Sequence, residues 1–209
     1  MRGLSMAKKS KVAQGELAYY AAMVPLQGLL PINVGLKPAR EETMISALGS
    51  PEMPLTIQDQ PDRASPLVKA LKVTERLSIN AAPTGIKPAI ASLAGILKDA
   101  FAQEDQAGHD LESVLDDDGM LAVRYRRPTN GHPSTKISNH SWGTAIDFRL
   151  VGHDPPANTH GMIPRFIAVL LPFFNGAGWY SGISFSDTMH FEVADDTIHK
   201  WATDGALKP

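Results

Sequence analysis

Two short stretches carry the residues that could do chemistry: "SNHSWGTAID", from Ser138 to Asp147, and "DTMHFEV", from Asp187 to Val193. Each sets a His and an Asp beside a short apolar run. Such residues are either ordinary polar groups near strand ends or pieces of one metal site. A catalytic zinc takes about three protein ligands and keeps one position open. His140 precedes Gly143 on a turn that feeds a strand, and Asp147 lies within that strand. The glycine lets the backbone bend so that both side chains can face one point. His190, on another strand, would supply a third donor. Asp187, three residues earlier, stands where a general base would take a proton from the attacking water. Glu192 shares a strand face with His190 and could orient it, as could the Ser138 hydroxyl for a ligand nearby. The chain has no cysteine, so thiolate sites are excluded and any metal must be held by His and carboxylates.

The other histidines have less to recommend them. His109 in "EDQAGHD" and His132 in "TNGHPS" read as surface residues. His153 and His160 bracket a Pro-rich loop, "HDPPANTH", and could line a cleft mouth, while His199 falls in a late helical segment. Asp116 to Asp118, just before Gly119, read as a turn with three solvated carboxylates.

The elements that must position these residues follow from periodicity. "KPAIASLAGILKDAFAQE", Lys87 to Glu104, repeats Ile90, Leu93, Leu97 and Phe101 at helical spacing, with Pro88 suited to a first turn. "MLAVRYRRP" alternates as a half-buried strand does. "TAIDFRLVG" is a second strand, with Ala145 and Asp147 on one face and Ile146 and Phe148 on the other. "PRFIAVLLPFFNGAG" is a helix that ends at Gly176 or Gly178, kinked or cut short by Pro172. "MHFEV" is a third strand, with His190 and Glu192 sharing a face. Helix, strand, strand, helix, strand makes an α+β domain with a small antiparallel sheet flanked by helices.

Bulk properties narrow the function class. At 209 residues, 43% apolar and 20% charged, the chain is long enough for one sizeable core. A net charge of −2 gives no electrostatic case for nucleic acid or for an anionic membrane. The basic start, with Arg2, Lys8, Lys9 and Lys11, reads as a solvated tail. The apolar stretch from Leu17 to Leu36 is broken by Pro25, Gln27 and Pro31, abuts Glu16 and lacks a clean cleavage site, so it reads as a folded or docking segment rather than a signal peptide. No run is long enough for stable membrane insertion. The expected organisation is a lead-in and extended Pro-rich segment over 1–79 that packs on the α+β domain over 80–209.

The two motifs together resemble a known family. "S-N-H-S-W-G-T-A-I-D" matches S-x-H-x-x-G-x-A-x-D, and "D-T-M-H-F-E" matches an acidic residue three before a His that opens H-F-E or H-W-E. Both are signatures of the D-alanyl-D-alanine carboxypeptidase and L-alanyl-D-glutamate endopeptidase family of zinc peptidases, whose fold is related to that of hedgehog domains. "FFNGAGWYSGISFSDTMHFEV" and "TGIKPAIASLAGIL" are also similar to its phage endolysin-like members, and the likeness covers about residues 80–195. It implies that His140, Asp147 and His190 bind Zn2+ and that Asp187 is the catalytic base.

The resemblance also implies an arginine holding a substrate carboxylate or oxyanion. "VRYRRP" offers Arg124, Arg126 and Arg127. The family's C-R-P pattern points to Arg127, with Arg124 next, and strand parity would keep the three from all facing the cleft. Aspartate at the base position resembles the endopeptidase branch, acting on the peptidoglycan stem peptide between L-alanine and D-glutamate. The alternatives are a D-alanyl-D-alanine carboxypeptidase with the same site and a non-catalytic zinc-containing binding module. Trp142 and Trp179 are candidates for the groove wall or for plain packing. The implied place of action is the periplasm or cell wall, reached from the cytoplasm without a clear signal peptide. The partner expected for that route is a secretion machine, a phage particle or an immunity protein, and residues 13–37 could dock such a machine or simply cover the back of the domain.

Overall fold

The computed structural model describes residues 14–51, 86–120, 122, 124–127, 134–156 and 161–207. Helix α1 covers 14–21. It is followed by β1 (Met23–Pro25), α2 (Glu41–Leu48), α3 (Ile86–Gln106) and β2 (Leu115–Asp117). Next come β3 (Ala145–Leu150), β4 (Met162–Pro164), α4 (Arg165–Gly176), β5 (Trp179–Ser181), β6 (His190–Val193) and α5 (Asp195–Thr203). The fold is α+β. A four-stranded antiparallel sheet runs β2-β3-β6-β5, and β1 pairs with β4 in a separate two-stranded ribbon.

The sheet separates chemistry from packing. On one face of β3 and β6 lie Ala145, Asp147, His190 and Glu192, with Asp147 directly across from His190 and Ala145 across from Glu192. The strand's two-residue period sends Ile146, Phe148, Phe191 and Val193 to the opposite face, where all four are fully buried. There Phe174 of α4 meets Phe191 with ring centroids 4.3 Å apart and Trp179 edge-on at 5.6 Å. Each such side chain contributes about 1.5–3 kcal/mol by leaving water. Helix α3 packs on α4 through the stripe Ile90, Leu93 and Leu97, which is buried as its spacing requires.

Three local expectations differ from what is found. Pro172 does not end α4, which runs on to Gly176. Proline costs about 3 kcal/mol inside a helix, but Leu170, Leu171 and Phe174 around it are buried and together outweigh that cost. Asp116 and Asp117 belong to a strand rather than a solvated turn. Asp116 lies across from Arg149 of β3, whose guanidinium meets Asp116 at 3.2 Å and Asp118 at 2.8 Å. That cation lets an acidic run serve as an edge strand. Finally, the described residues of the predicted strand over 120–128 form no strand, only bridges at Arg124 and Tyr125, the latter to Ile137, and Leu121, Val123 and Pro128 lie outside the described residues. The segment instead bonds to the turn that carries His140. Ala122 N donates to the His140 carbonyl (3.0 Å), Arg124 N to Ser141 Oγ (3.0 Å) and Arg126 N to the Lys136 carbonyl (2.8 Å).

Residues 14–48 are built into the fold. Tyr20 is fully buried and donates to Glu104 of α3 at 2.9 Å, and the Arg165 guanidinium lies 4.2 Å over the Tyr19 ring. Among the described residues no helix is long and apolar enough to cross a membrane.

Candidate metal centre

His140 sits in a 3-10 turn, Asn139–Trp142, that ends on Gly143 at φ 67°, a left-handed conformation that favours glycine. From there the chain enters β3 and delivers Asp147 opposite His190. His190 Nδ1 lies 2.8 Å from Asp147 Oδ1, His140 Nε2 lies 3.3 Å from that same oxygen, and the two ring nitrogens are 3.2 Å apart. All three residues are buried. They form a compact set of ligand atoms, all within 4.8 Å of one another.

An outer partner fixes which ring nitrogen of His140 carries the lone pair. His140 Nδ1 faces the Met120 carbonyl at 3.2 Å, and a carbonyl can only accept, so the N–H of a neutral ring is there. His190 faces a carboxylate at each ring nitrogen, Glu192 Oε2 at 3.0 Å from Nε2 and Asp147 Oδ1 at 2.8 Å from Nδ1, so the tautomer with its N–H toward Glu192 leaves the Nδ1 lone pair toward Asp147. In that tautomer His140 Nε2, His190 Nδ1 and Asp147 Oδ1 turn three lone pairs toward one point. Three acceptors at these distances repel one another unless a cation or a proton lies among them. Burial alone would lower the His190 pKa, but the Asp147 and Glu192 carboxylates override it and push it up to about 10. Burial would likewise raise Asp147, yet the two imidazoles hold it well below the usual carboxylate range. Two imidazoles and one carboxylate, each imidazole held by an acceptor on its far side, are a donor set that suits Zn2+.

Asp187 lies on the loop between the 3-10 turn Gly182–Phe185 and β6. Its backbone N–H donates to Gly182 O (3.0 Å) and its carbonyl accepts from His190 N (3.3 Å). Burial raises its carboxyl above the ordinary value, with the positive fields of His190 and Arg127 opposing. Packing here is close. A Cβ on Gly182 would lie 2.6 Å from Asp187 O and 2.9 Å from both His190 Cβ and the Phe185 ring.

A cavity of about 600 Å³ opens on the site, lined by Asp187, His190 and Glu192 and walled by Pro38, Asn139, Ser138, Pro155, Phe185 and three arginines. Arg124, Arg126 and Arg127 all line it, against the parity argument. With isolated bridges in place of a strand among the described residues, alternation does not govern all three. Ser138 lines the cavity too, while the oxygen that orients His140 is the Met120 carbonyl, which no side-chain pattern could announce. Trp142 and Trp179 are not groove residues. Both are buried, and their indole N–H groups donate to Gly49 O (2.7 Å) and Ser92 Oγ (3.0 Å). His153 is exposed and bonds to the Val151 carbonyl, His199 is exposed on α5, and His109 stacks on Tyr19 with centroids 3.6 Å apart rather than lying free at the surface. His132 and His160 lie outside the described residues.

Residues 132–193 match the family model described as D-alanyl-D-alanine carboxypeptidase. The matched span is a little under a third of the chain. It holds His140, Asp147, His190 and Asp187 but neither the three arginines nor the N-terminal segment. No curated protein and no solved structure matches the chain. The family that the paired motifs resemble, the zinc peptidases of the D-alanyl-D-alanine carboxypeptidase type, is the family that this span matches.

Proposed function

We propose that the chain is a zinc-dependent peptidoglycan peptidase that cuts the stem peptide between L-alanine and D-glutamate. The observation that carries this reading is the convergence of three buried lone-pair donors beside a carboxyl whose pKa is raised, at the base of an arginine-walled cavity. His140, Asp147 and His190 would hold the ion. Zinc bound there would acidify water and polarise the scissile carbonyl.

The remaining work falls to side chains. Asp187 takes the proton of the attacking water and passes it to the leaving amine, and its raised pKa brings it nearer the neutral range in which such a shuttle is efficient. The arginines set positive charge along the cavity, where a guanidinium can hold a carboxylate of the substrate in two parallel hydrogen bonds. A stem peptide offers such a group on its D-glutamyl residue. The same wall also favours the second reading, a D-alanyl-D-alanine carboxypeptidase, because a terminal carboxylate would be held in the same way. Aspartate at the base position supports the endopeptidase. Peptidoglycan lies outside the cytoplasmic membrane, so the proposed place of action is the periplasm or cell wall.

The test is digestion of purified peptidoglycan by wild type and Asp187→Asn, each with and without a chelator, with products identified by mass spectrometry. Fragments newly ending at L-alanine, lost with the variant and with the chelator, are expected. Release of D-alanine alone would move the assignment to the carboxypeptidase. Zinc-loaded wild type that yields no product would favour a non-catalytic binding module.

A further inference from the structure

The turn that carries His140 has no side-chain cap of its own, and four residues of 3-10 helix do not fix their own orientation. It is held from outside, by a part of the chain roughly a hundred residues upstream. Ile137 N donates to Glu41 Oε2 at 2.9 Å, Asn139 Nδ2 to the Ala39 carbonyl at 3.4 Å, and Trp142 Nε1 to the Gly49 carbonyl at 2.7 Å. These tethers fall three residues before His140, one before it and two after it. The upstream segment is anchored in turn to the other ligand-bearing arm. Asp195, two residues beyond β6, accepts from Arg40 N (2.9 Å) and from the Arg40 guanidinium (3.1 Å), and its own N–H donates to Lys37 O (3.0 Å). Further back, Asn33 is locked by bonds to Asn175, Ser181 and Ser184. Pro38 of the same segment lines the cavity.

We infer that residues 37–49 are a clamp that positions His140 against His190, and that Glu41 is a positioning residue for the metal centre. The inference rests on the metal reading given above. The span that matches the family model lacks this clamp, so the centre is completed by chain outside it. A charge-assisted bond from a half-buried amide to Glu41 is directional, and the arm it holds ends in a candidate ligand nitrogen that must meet Asp147 Oδ1 and His190 Nδ1 within 3.3 Å.

The experiment titrates the full-length chain with cobalt(II), reading its visible ligand-field absorption, and then measures zinc affinity by competition. Wild type, Glu41→Ala and Glu41→Gln are compared, with circular dichroism as a check on folding. Glu41→Ala is expected to bind zinc at least tenfold more weakly, as loss of a partner just outside the ligands commonly does, and to shift or flatten the cobalt band. Glu41→Gln keeps an oxygen to accept the Ile137 N–H and is expected within about threefold of wild type. Should Glu41→Ala fail to fold, Trp142→Phe removes the Gly49 tether while keeping an aromatic side chain; the same weakening and band change are expected, and wild-type binding there would overturn the clamp. A folded Glu41→Ala with wild-type affinity and band would overturn the clamp, as would equal weakening in Glu41→Gln. Wild type that binds neither ion would instead overturn the metal reading itself.

Discussion

Gly182 is the sharpest steric test of the site. Its backbone angles are open to any residue, so Gly182→Ala adds one methyl group and no conformational penalty. That methyl would stand 2.6 Å from Asp187 O, 2.9 Å from His190 Cβ and 2.9 Å from the Phe185 ring. The half-exposed Phe185 ring can swing aside, but the Asp187 carbonyl is backbone. To reach ordinary contact, at about 3.5 Å, it must retreat by roughly 1 Å. The same peptide carries the proposed base and bonds to His190 N. Overpacking of this kind costs about 1–3 kcal/mol of stability. A displacement of about 1 Å at reacting groups costs on the order of 100-fold in rate. The expected result is a variant that still unfolds cooperatively in urea, with a lowered midpoint, yet hydrolyses a purified muropeptide about 100-fold more slowly in kcat/KM at saturating zinc. Activity within threefold of wild type would refute the packing argument. A loss matched by the unfolded fraction alone would refute the link between Gly182 and the base.

Two further predictions concern charge. For Asp187→Asn, hydrolysis is expected to fall by about 10²- to 10⁴-fold, the usual share of a general base, while the chelated protein becomes more stable at neutral pH. The sign follows from a folded-state pKa raised by burial: the native carboxyl binds its proton more tightly than the unfolded one, so ionisation disfavours the fold. The gain in melting temperature should be full above the raised pKa and vanish below about pH 4, the range of an unperturbed aspartate; a gain that does not depend on pH would contradict this. Asp117→Asn tests the same linkage away from the site. Burial, with the neighbouring Asp116 and Asp118, pushes Asp117 up to about 6 against the pull of the Gly119 N–H and Arg149. That shift corresponds to on the order of 1–3 kcal/mol of destabilisation above pH 6, reduced by partial exposure. Urea unfolding at pH 8 should show the variant to be the more stable, the difference closing by pH 4 with hydrolysis unchanged, and a variant less stable at pH 8 would reverse the assignment.

The His140, Asp147 and His190 cluster was legible because it depends on local rules that a sequence displays. Gly143 marks the left-handed turn, strand alternation puts Asp147 on the face opposite Phe148, and pairing β3 with β6 brings two distant motifs into register. The same rules failed where backbone partners were not strands. The arginine parity broke down because Ala122, Arg124 and Arg126 bond to atoms of the turn region, and the carbonyl that orients His140 belongs to a methionine with no polar side chain to betray it. The clamp was invisible for a further reason. A hydrogen bond between Glu41 and Ile137 joins residues 96 positions apart, and one long-range polar contact leaves no periodicity, only a carboxylate at the start of a short helix that reads equally well as complementing the helix dipole. Asp195 carries the same ambiguity at the first turn of α5, where it looks like ordinary N-terminal acid and in fact holds Arg40 and, through it, the wall of the cavity. Ligands announce themselves by residue type, whereas the groups that hold ligands still are drawn from whatever carbonyl or carboxylate the fold brings near. The matched span therefore holds the candidate ligands and the proposed base, while the proposed clamp over residues 37–49 would set how well they are held.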